Sequence, residues 1–415
     1  MVEQVQQLPS CELQDGQFQG CGVHNAATGS CQPSSSLSVL VTRTNVASYV
    51  PKGSWSFGTT GISVVTVEGS AVLPTTNPIP TADVVNSCAS NAISGQTVCT
   101  ANTNSVYVIS GLAAIPTVTT LLSAGTGVIG FSGGICTNCG VTIDATHNKA
   151  AIGLSLVGLP GFQFLNLGSS TFETAFTSLA GAISEDPLID PIRNLLLSAS
   201  EINNYEIVDV TTSTTPAFFE NGPIAASGGV LDSSGEDCTT GIVLAPAEFS
   251  FPSAVYIANL SSSSATFTPG SPGTWVAPSQ TQSLTDSVLS EGASGIAVAQ
   301  GTHTGIVSGE FGGDAITAIA LPATLDTSAT IPAIGDWVTC SIGGGFSNGF
   351  DPHTVTAYQS PNGGDAIALL ANFDATSLAV VDLTKMLNTA IVPRTGNACT
   401  SGTLPATVVS FIAVP

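Results

Sequence analysis

The chain reads as an all-β protein, a seven-bladed β-propeller with a small disulfide-stapled N-terminal cap, and three features carry that reading. A short alternating apolar run recurs along the chain and ends each time where polar turn residues begin. The 415 residues are dominated by Gly, Ser, Thr, Val and Ala, the composition of strands joined by tight turns. No segment has the length and 3.6-residue apolar period of a long helix. Ser178 to Ala199 comes nearest, and Pro187 and Pro191 interrupt it.

Taken in order, residues 1–36 form the cap. Cys11, Cys21 and Cys31 fall in a Gln- and Gly-rich segment with little apolar content, so its order is expected to depend on covalent staples, and Pro33 with the serines after it is the expected linker. Residues 37–415 form the ring, beginning with LSVLVT and NVASYV. The recurring runs are ISVVTV (Ile62 to Val67), VYVI (Val106 to Ile109), FQFLNL (Phe162 to Leu167), YEIVDV (Tyr205 to Val210), VYIANL (Val255 to Leu260), ITAIAL (Ile316 to Leu321) and LAVVDL (Leu378 to Leu383). Their spacing, roughly 40 to 60 residues, is that of four-stranded blades. GIAVAQ, a short turn and TGIVSGEF precede ITAIAL, while TVTAYQ and AIALLANF precede LAVVDL, giving the same strand order twice. The turn-rich stretch from Pro74 to Asn104 is expected to be a long inter-strand excursion, with two more at Ser261 to Ser290 and Pro322 to Asp351. Six blades result if the two N-terminal units merge.

The unit from Asn362 to Leu383, NGGDAIALLANFDATSLAVVDL, resembles the YVTN-type repeat of lactonase-like β-propellers, which pairs an apolar run ending in Asn and a short turn with a V-V-D-L strand. Gly241 to Leu260 and Gly295 to Leu321 resemble it in part. The resemblance implies an architecture that hosts hydrolases, electron-transfer proteins, surface proteins and scaffolds alike. For the lactonase-like members it also implies a central metal that polarises a carbonyl or a bound water.

Six Lys and Arg stand against 28 Asp and Glu, a formal net charge of -22. Repulsion disfavours nucleic acid and anionic membranes as partners and favours cations. With few ion pairs possible, stability is expected to come from sheet hydrogen bonds, apolar packing and covalent links, and a low-pH extracellular habitat fits a surface whose charge is carboxylate.

Ten cysteines fit an oxidising compartment. Cys88 and Cys99 can close a short loop, Cys340 and Cys399 flank the last unit and can tie it, and Cys136 and Cys139 make a tight pair at the start of a blade with GVTID reading as strand. Met1 opens directly onto polar residues, so a mature form with its leader removed is expected, and no run of 18 apolar residues exists to span a bilayer.

In a blade, the innermost strand starts and the second strand ends on one face of the ring, where residues converge on the central channel. Acids are expected there: Glu185 and Asp186 before LIDP, Glu236 and Asp237 before CTTGIV, Glu291 before GIAVAQ, Asp351 with His353 before TVTAY, and Glu201, Glu310 and Asp374 at second-strand ends. Carboxylates drawn together from several blades suit Ca²⁺; equally, such acids cap turns and satisfy backbone N–H groups. His147 and His303 fall in turns on the opposite face. Gly125 to Gly130 fits GxGxxG without a βαβ setting, and Gly130 to Gly134 and Gly345 to Gly349 fit GxSxG without a strand-to-helix elbow, so none carries its usual chemistry. Neither haem, nucleotide nor quinone cofactor is expected.

The sequence therefore points to a secreted, periplasmic or cell-surface binding or scaffolding protein whose acidic central face can hold Ca²⁺, engaging a protein or cell-surface partner or a small cationic ligand. Its alternatives are a metal-dependent lactonase-like hydrolase, with Glu201, Glu310 or His353 near the metal, and a structural component of an extracellular or envelope assembly.

Overall fold

Mostly sequence-local antiparallel sheets build the described part of the structure, a computed structural model. It describes residues 37–42, 61–68, 71–74, 79–80, 85–91, 94–101, 105–110, 117–122, 140–145, 147–156, 159–173, 176–177, 187–200, 204–210, 217–222, 233–247, 254–261, 282–285, 293–309, 314–328, 334–343, 354–359, 364–371 and 377–413. The cysteine-bearing cap lies outside these, as do NVASYV, Cys136 and Cys139.

The first sheet runs β1 (Leu37–Thr42), β2 (Gly61–Glu68) and β3 (Ala71–Pro74), with β4 (Ile79–Pro80) also on β2. The second is β5 (Val85–Asn91), β6 (Gln96–Ala101), β7 (Ser105–Ser110) and β8 (Thr117–Leu122). In the third, β9 (Val141–Asp144), β10 (Lys149–Leu156) and β11 (Leu159–Asn166) are followed by β12 (Thr171–Phe172) and β13 (Phe176–Thr177), both on β11. The fourth comprises β14 (Leu188–Asp190), β15 (Leu195–Ser200), β16 (Asn204–Asp209) and β17 (Ala217–Gly222), and the fifth β18 (Gly235–Asp237), β19 (Ile242–Ala247), β20 (Ala254–Asn259) and β21 (Gln282–Thr285).

The last two sheets are interlaced. Strands β22 (Ala293–Ala299), β23 (Thr304–Gly309), β24 (Ala315–Ala320) and β25 (Trp337–Ser341) begin the sixth, and β26 (Thr354–Gln359), β27 (Ala366–Ala371) and β28 (Ser377–Asp382) begin the seventh. The chain then leaves the seventh sheet through helix α1 (Leu383–Leu387), capped by the Asp382 carboxylate on the Lys385 amide. It adds β29 (Arg394–Thr395) and β30 (Ala398–Thr403) to the outer edge of the sixth, β30 parallel to β25, before β31 (Val409–Ala413) returns to complete the seventh. That detour covers a sheet edge that would otherwise stand open.

Neighbouring sheets meet in sequence order. Innermost strands pack β1 on β5, β5 on β9, β9 on β14, β18 on β22 and β22 on β26, and β3 of the first sheet meets β31 of the last. The buried apolar clusters lie between sheets: Val98, Val106 and Val108 with Val141, Ile143 and Ile152; Phe162 and Phe164 with Ile189, Leu196 and Val208; Ile242, Leu244 and Ile257 with Ile296, Val307 and Ile319. A sheet buried on both faces reads as a near-continuous apolar run, which is why Leu195, Leu196 and Leu197 are all buried.

Three expectations are corrected. Pro74 to Asn104 is no excursion: Val85–Asn91 and Gln96–Ala101 are the first two strands of the second sheet, their β-branched and small residues paired across a disulfide. ISVVTV is the second strand of its sheet, whereas the other six runs are third strands. The two later excursions each supply an outer strand, β21 and β25. Among the described residues, helix is confined to α1 and one 3-10 turn, Gln300–Thr302, and no helix is long and apolar enough to cross a membrane.

Cys88 and Cys99 face each other across β5 and β6 and are bonded, and Cys340 on β25 is bonded to Cys399 on β30. The sequence separations are 11 and 59. In the chain-entropy account the longer loop stabilises more, by roughly 1.5 kcal/mol. Replacing Cys340 and Cys399 together with Ala is therefore expected to lower the urea midpoint further than replacing Cys88 and Cys99, a difference read directly from the two unfolding curves.

Candidate functional site

One turn is repeated around the ring, between the innermost and second strands. Asn91, Asp144, Asp190 and Asp237 each end their innermost strand, and the residue four positions on has positive φ: Gly95, Asn148, Asn194 and Gly241. The side chain caps the turn. Asn91 Oδ1 accepts from the Ser94 amide at 3.1 Å, Asp144 Oδ1 from the His147 amide at 3.0 Å, Asp190 Oδ1 from the Ile192 and Arg193 amides at 2.8 and 3.0 Å, and Asp237 Oδ1 from the Thr239 amide at 3.1 Å. These are Asx turns, a geometry short polar side chains provide and others cannot. The left-handed residue's carbonyl then accepts the amide just after the third strand: Leu167 to Asn148, Val210 to Asn194, Leu260 to Gly241 and, in the sixth sheet, Leu321 to His303.

The second oxygen of each aspartate takes a cation-capable side chain. His147 Nδ1 lies 2.6 Å from Asp144 Oδ2, Arg193 Nη1 donates to Asp190 Oδ2 at 2.8 Å, and His303 Nδ1 lies 2.6 Å from Asp237 Oδ2. The first two pairs are within one turn. The third crosses from the sixth sheet to the fifth, because position 240 is Thr and offers no charge.

Around Asp237 the side chains of three sheets converge. Arg193 of the fourth reaches the Cys238 carbonyl at 3.0 Å, the Ser261 hydroxyl, and Glu236 Oε1 at 3.5 Å. Gln300 of the sixth accepts the Cys238 amide at 3.0 Å and donates to the Glu236 carbonyl. Gly241 is required here, since its φ is +75° and any Cβ would strike Arg193 and Ser261. The Asp190, Glu236 and Asp237 side chains are fully buried. Burial pushes the Glu236 carboxyl well above the usual range, and the Asp190 carboxylate beside it pushes further than Arg193 pulls back. Hydrogen bonding to Asp237 holds the His303 imidazole above its ordinary value despite partial burial. Burial opposes the charge on Arg193, but Glu236 and Asp190 more than compensate.

Donor atoms of Asp190, Glu236 and Cys238 lie within 4.8 Å of one another, a spacing compatible with a metal ion. Cys238 is disulfide-bonded, with a partner outside the described residues, and offers no thiolate. The guanidinium of Arg193 sits against both carboxyls, so the cluster already contains its cation.

Of the expected acidic positions, only Glu236 and Asp237 are among the described residues. They do not start a blade: they are the last two residues of an innermost strand, on the rim that carries His147 and His303. The strand ends there because Cys238 to Gly241 form the turn. Glu185, Asp186, Glu201, Glu291, Glu310, Asp351, His353 and Asp374 lie outside the described residues. The sequence reading missed Asp190 and Arg193; the signal was Asn or Asp followed four residues later by Gly or Asn, present at 91, 144, 190 and 237. Asn259, in the lone glycosylation sequon, is buried and donates to the Asp326 carbonyl at 2.8 Å.

The fold has counterparts among solved structures. A Bacteroides uniformis protein described as a candidate 6-phosphogluconolactonase matches with a TM-score of 0.55 at 12% identity, covering 91% of this chain and 100% of its own. A Desulfotomaculum acetoxidans protein of unknown function matches at 0.54 and 10% identity over 85% and 96%. The β-propeller domain of Cps50 (Swd1) from Myceliophteria thermophila matches at 0.53 and 9% identity over 82% and 90%. At such identities the likeness is one of fold, that of a β-propeller. No family model matches the sequence, and no curated protein does.

Replacing Arg193 with Met is expected to destabilise the protein by about 3 to 5 kcal/mol, since it strips buried carboxyls of the cation they share. Replacing Lys385, whose pair with Asp382 is half-exposed, is expected to cost under about 1 kcal/mol. Equal shifts of the urea midpoint for the two variants would contradict the cluster's role.

Proposed function

We propose that the chain is a seven-bladed β-propeller of an extracellular compartment that acts as a binding scaffold for a positively charged partner. The observation that carries this reading is where the charges go. The described residues include four of the six Lys and Arg, and each is paired within the chain: Lys149 with Glu173 at 2.6 Å, Arg193 with Asp190 at 2.8 Å, Lys385 with Asp382 at 2.8 Å and Arg394 with Asp336 at 3.9 Å. The charge excess left for a partner is carboxylate, and carboxylates speed and select encounters with cationic surfaces.

Seven sheets among the described residues, meeting in order and returning to the first, support the blade number. The bonded cysteine pairs support an oxidising compartment. The ionic cluster at the fifth sheet supports a structural rather than a catalytic use of its groups, because each aspartate has one oxygen on a turn amide and the other on Arg193 or His303. A Ca²⁺ site belongs to the same reading only through the acids Glu185, Asp186, Glu201, Glu310 and Asp351, with His353 beside the last.

Calorimetric titration with a lysine-rich peptide, a glutamate-rich control and a lactone and ester hydrolysis screen test the proposal. Binding of the basic peptide alone, abolished in high salt, is expected. Hydrolysis of a lactone that is lost on chelation and restored by calcium would replace the scaffold reading with the metal-dependent hydrolase.

A further inference from the structure

We propose that the Glu236–Asp190 carboxyl pair and the His303–Asp237 pair form a proton-operated latch across the fourth, fifth and sixth sheets, closed in acid and loosened as the protons leave. The geometry that carries it is the environment of Glu236. Its side chain is completely buried, and among the described residues neither oxygen accepts a hydrogen bond, Arg193 Nη1 standing 3.5 Å from Oε1 as an ion-pair contact only. Asp190 across the sheet boundary has one oxygen on the Ile192 and Arg193 amides and the other on the Arg193 guanidinium. Two carboxyls so placed share one guanidinium, which lies 2.8 Å from Asp190 and 3.5 Å from Glu236. They fit together when Glu236 keeps its proton and donates it to Asp190; ionised, it adds a second buried negative charge with no second cation.

The neighbouring carboxylates favour the proton on Glu236 and the Arg193 guanidinium opposes it, with burial and Asp190 the larger influences. Among the described residues, Glu236 faces Asp190 and Arg193 from the fourth sheet, Asp237 from its own strand, and from the sixth sheet the neutral Gln300, bound to its backbone carbonyl. His303 faces Asp237, and its proton supplies the positive charge that Asp237 otherwise lacks. Both groups hold protons more tightly in the folded chain. For His303 the contribution is fully present below the ordinary value of 6.5 and is lost as pH rises through the elevated folded value. For Glu236 the unfolded chain gives up its proton near 4.5 while the folded chain retains it, so stability falls as pH rises above that point. The two effects add: the seam is tightest in mild acid and weakens through neutrality.

Self-repulsion of the net charge also favours acid, so the test separates a buried from a surface cause. Melting temperatures between about pH 4.5 and pH 8, in low salt and in 0.5 M NaCl, are compared for the wild type, Glu236→Gln, His303→Gln and Asp336→Asn, alongside exchange of the Cys238 and Thr239 amides. Glu236→Gln keeps the shape and donates to Asp190 without a titrating proton, whereas Asp336→Asn removes the same unit of charge from an exposed site. The expected result is a wild-type melting temperature that falls with pH in both salts, and Cys238 exchange, corrected for its intrinsic rate, at least tenfold faster at the upper pH. Glu236→Gln flattens most of that fall, His303→Gln removes the part above pH 6, and Asp336→Asn leaves the slope intact. A slope abolished by salt, or the same slope in Glu236→Gln as in the wild type, overturns the latch and assigns the effect to surface repulsion.

Discussion

A carboxylate has two oxygens, and at the inner turns of this ring they do different work. One satisfies the amides of a tight turn whose closing residue is left-handed, which fixes where the innermost strand ends and the second begins. The other faces a cation, and where that cation comes from decides how sheets are joined. His147 and Arg193 come from the same turn as their aspartates; His303 comes from the next sheet. The same local device therefore sets strand register within a sheet and the seam between the fifth and sixth.

The apolar layers need such fixed ends. Each lies between two sheets and is built from residues of both, so small errors in where a strand starts would move every side chain on it to the wrong face. With 8% charged residues the chain has little surface ion pairing to draw on. Three of its four described cations are instead spent on buried or half-buried carboxyls, and two disulfides among the described residues hold the second and the sixth sheets. The detour through α1 and β30 places the longer of these on a strand that belongs to one sheet in pairing and to the next in sequence. The bond therefore fastens the segment between β28 and β31 of the seventh sheet onto the edge of the sixth.

Much of the fold was legible in the sequence because third strands are apolar on both faces and end abruptly: VYIANL and LAVVDL mark their strands to within a residue. Strands poor in such residues were not legible. VNSCASN and QTVCTA read as loop because Ser, Asn and Thr dominate them, and only pairing across the Cys88–Cys99 bond and burial by neighbours make them strands. The site was less legible for a physical reason. Glu236 and Asp237 read as acids at the start of a blade, since a three-residue innermost strand carries no periodicity that would show which end they occupy. Arg193 looked like one more rare cation; its reach to Cys238, Ser261 and Glu236 depends on the packing of two sheets that no local pattern encodes.

The account rests on the claim that a turn carboxylate in one sheet is held by a cation from its neighbour. A double-mutant cycle on Asp237→Asn and His303→Gln, measured by urea unfolding near pH 5, tests it most directly, because Asn retains the turn cap and only the charge pairing between sheets is removed. Coupling of about 1 to 3 kcal/mol is the predicted result. Single-variant losses that simply add, within about 0.3 to 0.5 kcal/mol, would show that the two residues act separately and that the sheets are joined by other means.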